Sequence, residues 1–239
     1  APRGADGAAS DVSSSDDEDG MPPGDASRGD LTVVPARFGM CVSEILGTDP
    51  LCEGVLPALA HAHRVLLAPG ARVVPRTLRV LCALVESEAL RACNAPPERG
   101  APPCPDWDLS PLRVARHPRR GIRLDELAPF RVLSGPETLF TIDLATPPIA
   151  PRGARHLEMR ASQAGTAHAL VVWFEAELYE GVWLTTHWET GQERGYSWGQ
   201  MAHFFDEPSL PLRGGEEVHA NAAYNGSGIL ISDVRCGPA

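Results

Sequence analysis

The sequence predicts an α/β segment followed by an all-β domain, and three observations predict it. Residues 31–74 read as strand, helix, strand, with a 3.6-residue apolar period between two β-like runs. From residue 139 onward seven strand-like runs follow one another, punctuated by Gly and Pro at the intervals of a sandwich or barrel. Between the two, residues 92–118 are dense in Pro and carry no period, which reads as a plain linker or an exposed arm. At 239 residues there is ample chain for a large core.

Taken in order, residues 1–30 are poor in apolar side chains. They hold eight acids against two arginines, so ordering them gains too little burial to offset the lost entropy, and an acidic disordered segment or insertion is expected. Residues 31–43 supply a strand. A helix follows from Glu53, with apolar positions at Leu56, Leu59, Val65, Leu66 and Leu67, Pro57 in its first turn and Pro69-Gly70 closing it. His61 and His63 lie two apart, point to different faces and make no metal pair. Residues 72–74 and 77–85 read as strands, the second alternating Leu78, Val80, Cys82 and Leu84, and together they suit the closing half of a doubly wound sheet. The all-β part then runs through residues 139–144, 155–160, 166–179, 181–186, 199–205, 216–224 and 229–234. The expected domains are therefore 1–30, 31–91, 92–130 and 131–239.

Composition excludes several classes. The hydrophobic fraction of 43% and charged fraction of 22% are those of a globular protein, with no apolar run of membrane-spanning length and no signal peptide at residue 1. All 21 basic residues are arginine, which eliminates Schiff-base chemistry and a P-loop lysine. Net charge is −10, of which residues 1–30 carry −6. A mildly acidic body lacks the basic footprint that direct nucleic-acid binding needs and suits a basic peptide. The six cysteines, at 41, 52, 82, 93, 104 and 236, show no zinc-like spacing and are expected as free thiols of an intracellular protein.

The chemistry concentrates in Ser-Glu-Ile-Leu-Gly-Thr-Asp-Pro-Leu-Cys-Glu-Gly, where Glu44 and Glu53 flank a loop leaving the C-terminal end of a strand. In open α/β sheets that edge binds ligands, and two facing carboxylates can grip a planar guanidinium. Alone, such a pair is more often solvated surface charge, and Glu53 at a helix start is favoured by the helix dipole in any case.

The surrounding text resembles the protein arginine N-methyltransferase family, closest to the first module of its type 7 subfamily. The similar stretches are Val-Ser-Glu-Ile from Val42, Glu-Gly-Val-Leu-Pro from Glu53, Ala-Arg-Val-Val-Pro from Ala71 and Leu-Val-Glu-Ser from Leu84. They continue with Ile-Arg-Leu-Asp-Glu-Leu-Ala-Pro from Ile122, Phe-Arg-Val-Leu-Ser from Phe130 and Leu-Phe-Thr-Ile-Asp-Leu from Leu139. The resemblance implies the C-terminal portion of a Rossmann-like methyltransferase sheet followed by a β-barrel. It implies methyl transfer from S-adenosylmethionine to an arginine ω-nitrogen, with Glu44 and Glu53 as catalytic residues. It further implies a histone or Arg-Gly-rich protein or peptide as substrate, no nucleic acid or membrane as partner, a homodimer or tandem-module pseudo-dimer, a dimerisation arm near residues 92–130, and a cytoplasmic or nuclear location.

Two departures accompany the resemblance. Thr186-His187-Trp188 spells the family's Thr-His-Trp motif, yet the motif's context, running into Gln and an aromatic strand, belongs to Tyr196-Ser197-Trp198-Gly199-Gln200. Trp198, Gln200 and Ser197 are therefore the expected substrate-binding residues, Ser197 standing where histidine is usual, and Trp188 is expected in a polar stretch where nothing fixes it. The glycine-rich turn and ribose-binding acid of the donor site are missing; Gly226-Ser227-Gly228 precedes a strand and reads as a turn. The expectation is an incomplete module that does not bind the methyl donor by itself. The rival readings are a non-catalytic interaction or dimerisation module of the same fold and, less suited for want of an aromatic cleft, a two-carboxylate glycosidase.

Overall fold

The computed structural model describes residues 37–94, 118–190, 197–205 and 209–237. Residues 1–30, Cys104, Tyr196 and most of the Pro-rich segment lie outside them. Strand β1 (Phe38–Val42), helix α1 (Val55–Val65) and strand β2 (Leu67–Val74) form a strand–helix–strand unit whose strands pair in parallel, Cys41 opposite Val73 and Val42 opposite Val74. The helix starts two residues later than expected. Glu53 lies in the turn before it, and Gly54 supplies the left-handed N-cap at φ 79°. Pro69-Gly70, expected as the helix stop, falls inside β2 at its irregularity opposite Gly39, between the pairs Phe38–Leu67 and Met40–Arg72. Val55, Leu56, Leu59 and Ala62 make the buried face of α1.

Strand β3 (Thr77–Glu86) and the short helix α2 (Glu88–Cys93) come next, followed by β4 (Arg119–Ile122), a 3₁₀ turn (Leu124–Leu127) and β5 (Arg131–Val132). Then come β6 (Glu137–Asp143), β7 (Gly153–Arg160), β8 (Gly165–Ala167), β9 (Ala169–Tyr179), β10 (Val182–Thr185) and β11 (Gln200–Phe204). Strands β12 (Leu210–Leu212), β13 (Glu217–Asn225) and β14 (Gly228–Cys236) complete the chain. One antiparallel sheet runs β4-β11-β9-β3-β5, with β10 on β9 and β6 on β3; a second runs β14-β13-β7, and β12 pairs with β8.

Here the structure corrects the sequence reading. Strand β3 does not lie beside β2 in the doubly wound sheet; it pairs antiparallel with β9 from Thr77–Glu177 to Val85–Ala169. Its alternation gave a strand but no partner. The run 166–179 is two strands, interrupted at His168, whose N–H goes to Val85 O and whose Nδ1 accepts from Ser87 N–H, 3.0 Å. Strands β4, β5 and β12, two to four residues long, are too short to show a period.

Both faces of β3 and β9 are buried. Leu78, Val80, Cys82, Leu84, Leu170, Val172 and Phe174 join the main core, which also receives α1. Leu81, Ala83, Val85, Val171 and Trp173 face a second cluster with Ile122, Leu124 and Trp188. No helix among the described residues is long and apolar enough to cross a membrane.

Candidate functional site

The segment 43–54 leaves the C-terminal end of β1 and is held there by local and distant bonds. Ser43 N–H donates to Val74 O, Cys52 N–H to Asp49 O and Gly54 N–H to Leu51 O, so two turns fold the loop back toward α1. Leu46 and Leu51 insert into the main core, each burial stabilising by about 1.5–3 kcal/mol. Gly47 packs closely, since a Cβ there would lie 2.3 Å from Cys52 Sγ and 3.1 Å from Asp49 O.

The loop's strongest tie is Asp49, only 3% exposed. Its Oδ2 accepts from Arg119 Nη1 (2.5 Å) and Ile229 N–H (3.0 Å), and its Oδ1 from Leu51 N–H (3.2 Å). Arg119, on β4, also donates to Ile229 O, 2.9 Å. A carboxylate with three donors is a satisfied buried charge, which would be costly if any partner were removed. Gly228 makes room for it, since a Cβ would meet Asp49 Oδ2 at 2.7 Å and Arg119 Nη1 at 2.8 Å. Sequence reasoning passed over Asp49 and Arg119. The one available signal was an Asp placed between two glutamates and followed by Pro.

Trp198 supplies the second tie. Its indole Nε1–H donates to Leu46 O at 2.6 Å, 152 residues away in sequence, and its ring packs edge-on to Phe174 at 5.9 Å. The structure thus brings Trp198 to the loop that carries Glu44 and Glu53. Both glutamates are exposed, and among the described residues no ion pair includes either one. The loop concentrates negative charge: burial first, then the carboxylates of Asp49 and Glu53, raise the Cys52 thiol above its ordinary value. That potential suits a cation.

Ser197 is exposed beside Trp198. Gln200, expected to line the same pocket, is not brought there. It is buried, its Oε1 accepting from Leu124 N–H (2.9 Å) and its Nε2 donating to Thr186 O (2.7 Å). Side chains alternate along β11, so Gln200 shares the face of Ala202 in the second cluster, while Trp198 packs on the main core. Its amide has two backbone partners to satisfy, and it joins the 3₁₀ turn to the end of β10.

Trp188 also differs from expectation. It is 5% exposed, edge-on to Trp173 at 5.1 Å and Phe130 at 6.3 Å, and stacked on His187 at 3.9 Å. Thr186 is buried as well, its hydroxyl bonded to both the N–H and the C=O of Phe174. The literal Thr-His-Trp is a packing element, fixed by aromatic contacts that local polarity conceals. Gly226-Ser227 forms the turn between β13 and β14, as expected, and Gly228 opens β14. Among the described residues no glycine-rich turn leads from a strand into a helix, so they do not fit a nucleotide-type donor.

The family described as the arginine methyltransferase oligomerization subdomain matches residues 111–232. The chain is 28% identical over 216 residues to Protein arginine N-methyltransferase 1.6 of Arabidopsis thaliana, covering 83% of this chain and 30% of that protein. It is 30% identical over 199 residues to Arginine N(omega)-methyltransferase of Streptomyces achromogenes subsp. streptozoticus, covering 80% and 50%. To Protein arginine N-methyltransferase 7 of Gallus gallus it is 25% identical over 214 residues, covering 81% and 31%. The chain thus spans between about a third and a half of these relatives' length. Among solved structures, the Trypanosoma brucei PRMT1 enzyme–prozyme heterotetrameric complex with AdoHcy matches with a TM-score of 0.67 at 18% identity, over 85% of this chain and 65% of that one. That likeness is one of fold, the closing part of a Rossmann-like sheet followed by a β-barrel. With the family match extending over half its length, the chain belongs to the arginine methyltransferases, through their oligomerization subdomain.

Proposed function

We propose that this chain is the acceptor half of a protein-arginine N-methyltransferase, in which Glu44 and Glu53 hold the guanidinium of a peptidyl arginine. The observation that carries this is the pinning of their loop to the barrel by Trp198–Leu46 and by Asp49–Arg119–Ile229. Those bonds fix the backbone between the glutamates, while their own carboxylates stay exposed. Two carboxylates bonded to two guanidinium nitrogens orient the group and draw its positive charge toward them. The remaining ω-nitrogen keeps lone-pair density for in-line attack on an electrophilic methyl. Positioning and electrostatics supply the rate, and the nitrogen becomes more acidic as it alkylates, so no strong base must act first. S-adenosylmethionine supplies the methyl in this reading; the described residues do not form its site. The indole of Trp198, with Ser197 beside it, forms the barrel-side wall.

The substrate class is a basic, arginine-containing protein or peptide such as a histone or an Arg-Gly-rich segment, supported by the acidic loop and by net charge −10. The five described cysteines are free, which supports a reducing cytoplasmic or nuclear setting. In the full-length protein, Glu44→Gln and Glu53→Gln should each abolish most methyl transfer to an Arg-Gly-rich peptide, because the amide keeps the shape but loses the charge that pairs with the guanidinium. Retained turnover in both variants would make the glutamates ordinary surface acids.

A second reading, an interaction module without catalysis, is supported by the description of the matched family as an oligomerization subdomain. The same glutamate variants separate the two: an interaction module would assemble unchanged and show no methyl transfer even with both glutamates intact.

A further inference from the structure

The outward face of the sheet β14-β13-β7 carries a group of metal-ligating side chains that the methyl-transfer reading does not use. Along β13, Val218, Ala220 and Ala222 point into the core, so His219 and Asn221 point out. Across the ladder His219 stands opposite Glu158 and Asn221 opposite His156. His156, Glu158 and His219 each offer one ligand atom, all within 4.8 Å of one another. His156 Nε2 and His219 Nδ1 are 3.2 Å apart. Two nitrogens bound at about 2.0–2.1 Å in tetrahedral geometry stand roughly 3.3 Å apart, so the pair already has the spacing of ligands on one ion.

A supporting layer orients the first of these ligands. Asn221 Nδ2 donates to Asp233 Oδ2 at 2.8 Å, which turns its Oδ1 toward His156 Nδ1 at 2.9 Å. Asn221 Oδ1 only accepts, so His156 Nδ1 carries the proton and Nε2 presents its lone pair to the space shared with His219. Asp233 reaches Asn221 because β14 bulges there: between His219–Arg235 and Asn221–Ser232 an extra residue is inserted, and Asp233 takes φ 54°. A bulge that re-aims a side chain is a recurrent device at functional sites, and Asp is among the few non-glycine residues that tolerate the left-handed region. Hydrogen bonds from Asn221 and Ser232 hold the Asp233 carboxyl below its ordinary value.

We propose that His156, Glu158 and His219 form a site for a late first-row divalent cation of the zinc type, with Asn221 and Asp233 orienting His156. Two imidazoles and one carboxylate match that class, whereas calcium and magnesium require a shell of oxygens. Three protein ligands leave a fourth position for water. Bound there, the ion clips β7 to β13 on the side facing away from the core.

The test titrates Zn²⁺ into the 239-residue chain in competition with a chromophoric zinc indicator of micromolar affinity. Expected are one tightly held ion per chain and a thermal midpoint that rises with Zn²⁺ and falls back with chelator. His156→Ala and His219→Ala should each weaken binding more than Asn221→Ala, which should cost about 10–100-fold as the loss of a supporting residue does elsewhere. Glu158→Gln, on the exposed face, carries the test if a histidine variant fails to fold. No competition with the indicator would overturn the site. So would equal zinc affinity in parent, Asn221→Ala and Glu158→Gln chains, which would place the metal on cysteines elsewhere.

Discussion

Strands β1 and β3 are both apolar, and the fold treats them oppositely. On β1, Phe38, Met40 and Val42 are 56%, 53% and 69% exposed, and the strand pairs only with β2 among the described residues. On β3, Val80 through Val85 are all buried, between β9 on one edge and β5 and β6 on the other. The antiparallel region therefore draws its stability from two-faced burial. The strand–helix–strand region buries one face of α1 with Leu46, Leu51, Leu67 and Val73 in the main core, and adds polar anchors, Asp49–Arg119 and Trp198–Leu46 above all. The difference implies that the region bearing the glutamates opens at lower free energy than the barrel beneath it. Rigidity at the loop is thus supplied by the barrel, which places substrate positioning and barrel stability in the same contacts.

The largest expected effect tests the barrel side. Trp188→Ala removes a buried indole from the second cluster and should cost about 3–5 kcal/mol, lowering the denaturation midpoint by every probe at once. Trp198→Ala should cost less stability and most of the methyl transfer in the full-length protein. An active Trp198→Ala enzyme beside a folded, inactive Trp188→Ala one would reverse the roles given to the two tryptophans.

Next comes the anchor. Asp49→Ala leaves Arg119, Ile229 N–H and Leu51 N–H without their acceptor and should cost about 3 kcal/mol. The loss should be local: amide exchange should accelerate across β1, α1 and β2 while β3 and β9 keep their protection. Uniform acceleration in both regions would show that they unfold as one unit.

The smallest effect is a pH dependence at the junction. Burial, and then the Arg119 guanidinium, push His203 on β11 down to about 4 from 6.5. Its Nε2 is buried with no hydrogen-bond partner among the described residues. The unfolded chain therefore binds a proton between pH 6.5 and 4 that the folded chain refuses. Stability from this group is complete above about pH 6.5 and is lost progressively as the pH falls toward 4. His203→Leu should flatten the slope of the denaturant midpoint against pH over that window. An unchanged slope would assign the acid sensitivity to other groups.

By itself the sequence determined the local geometry. The period of Leu56, Leu59 and their neighbours made α1, and alternation made β3, β7 and β13. These signals are local because helix and strand periods arise within a few residues of backbone. Which strand β3 would join was not legible, since alternation is the same whichever neighbour satisfies its hydrogen bonds. The tie of Asp49 to Arg119, 70 residues on, was equally hidden, as was the turning of Gln200 away from Trp198 to the other face of the sheet. Only the tertiary structure decided these, because a buried polar group is placed by the partners that satisfy it, and those partners meet only when distant strands close on one core.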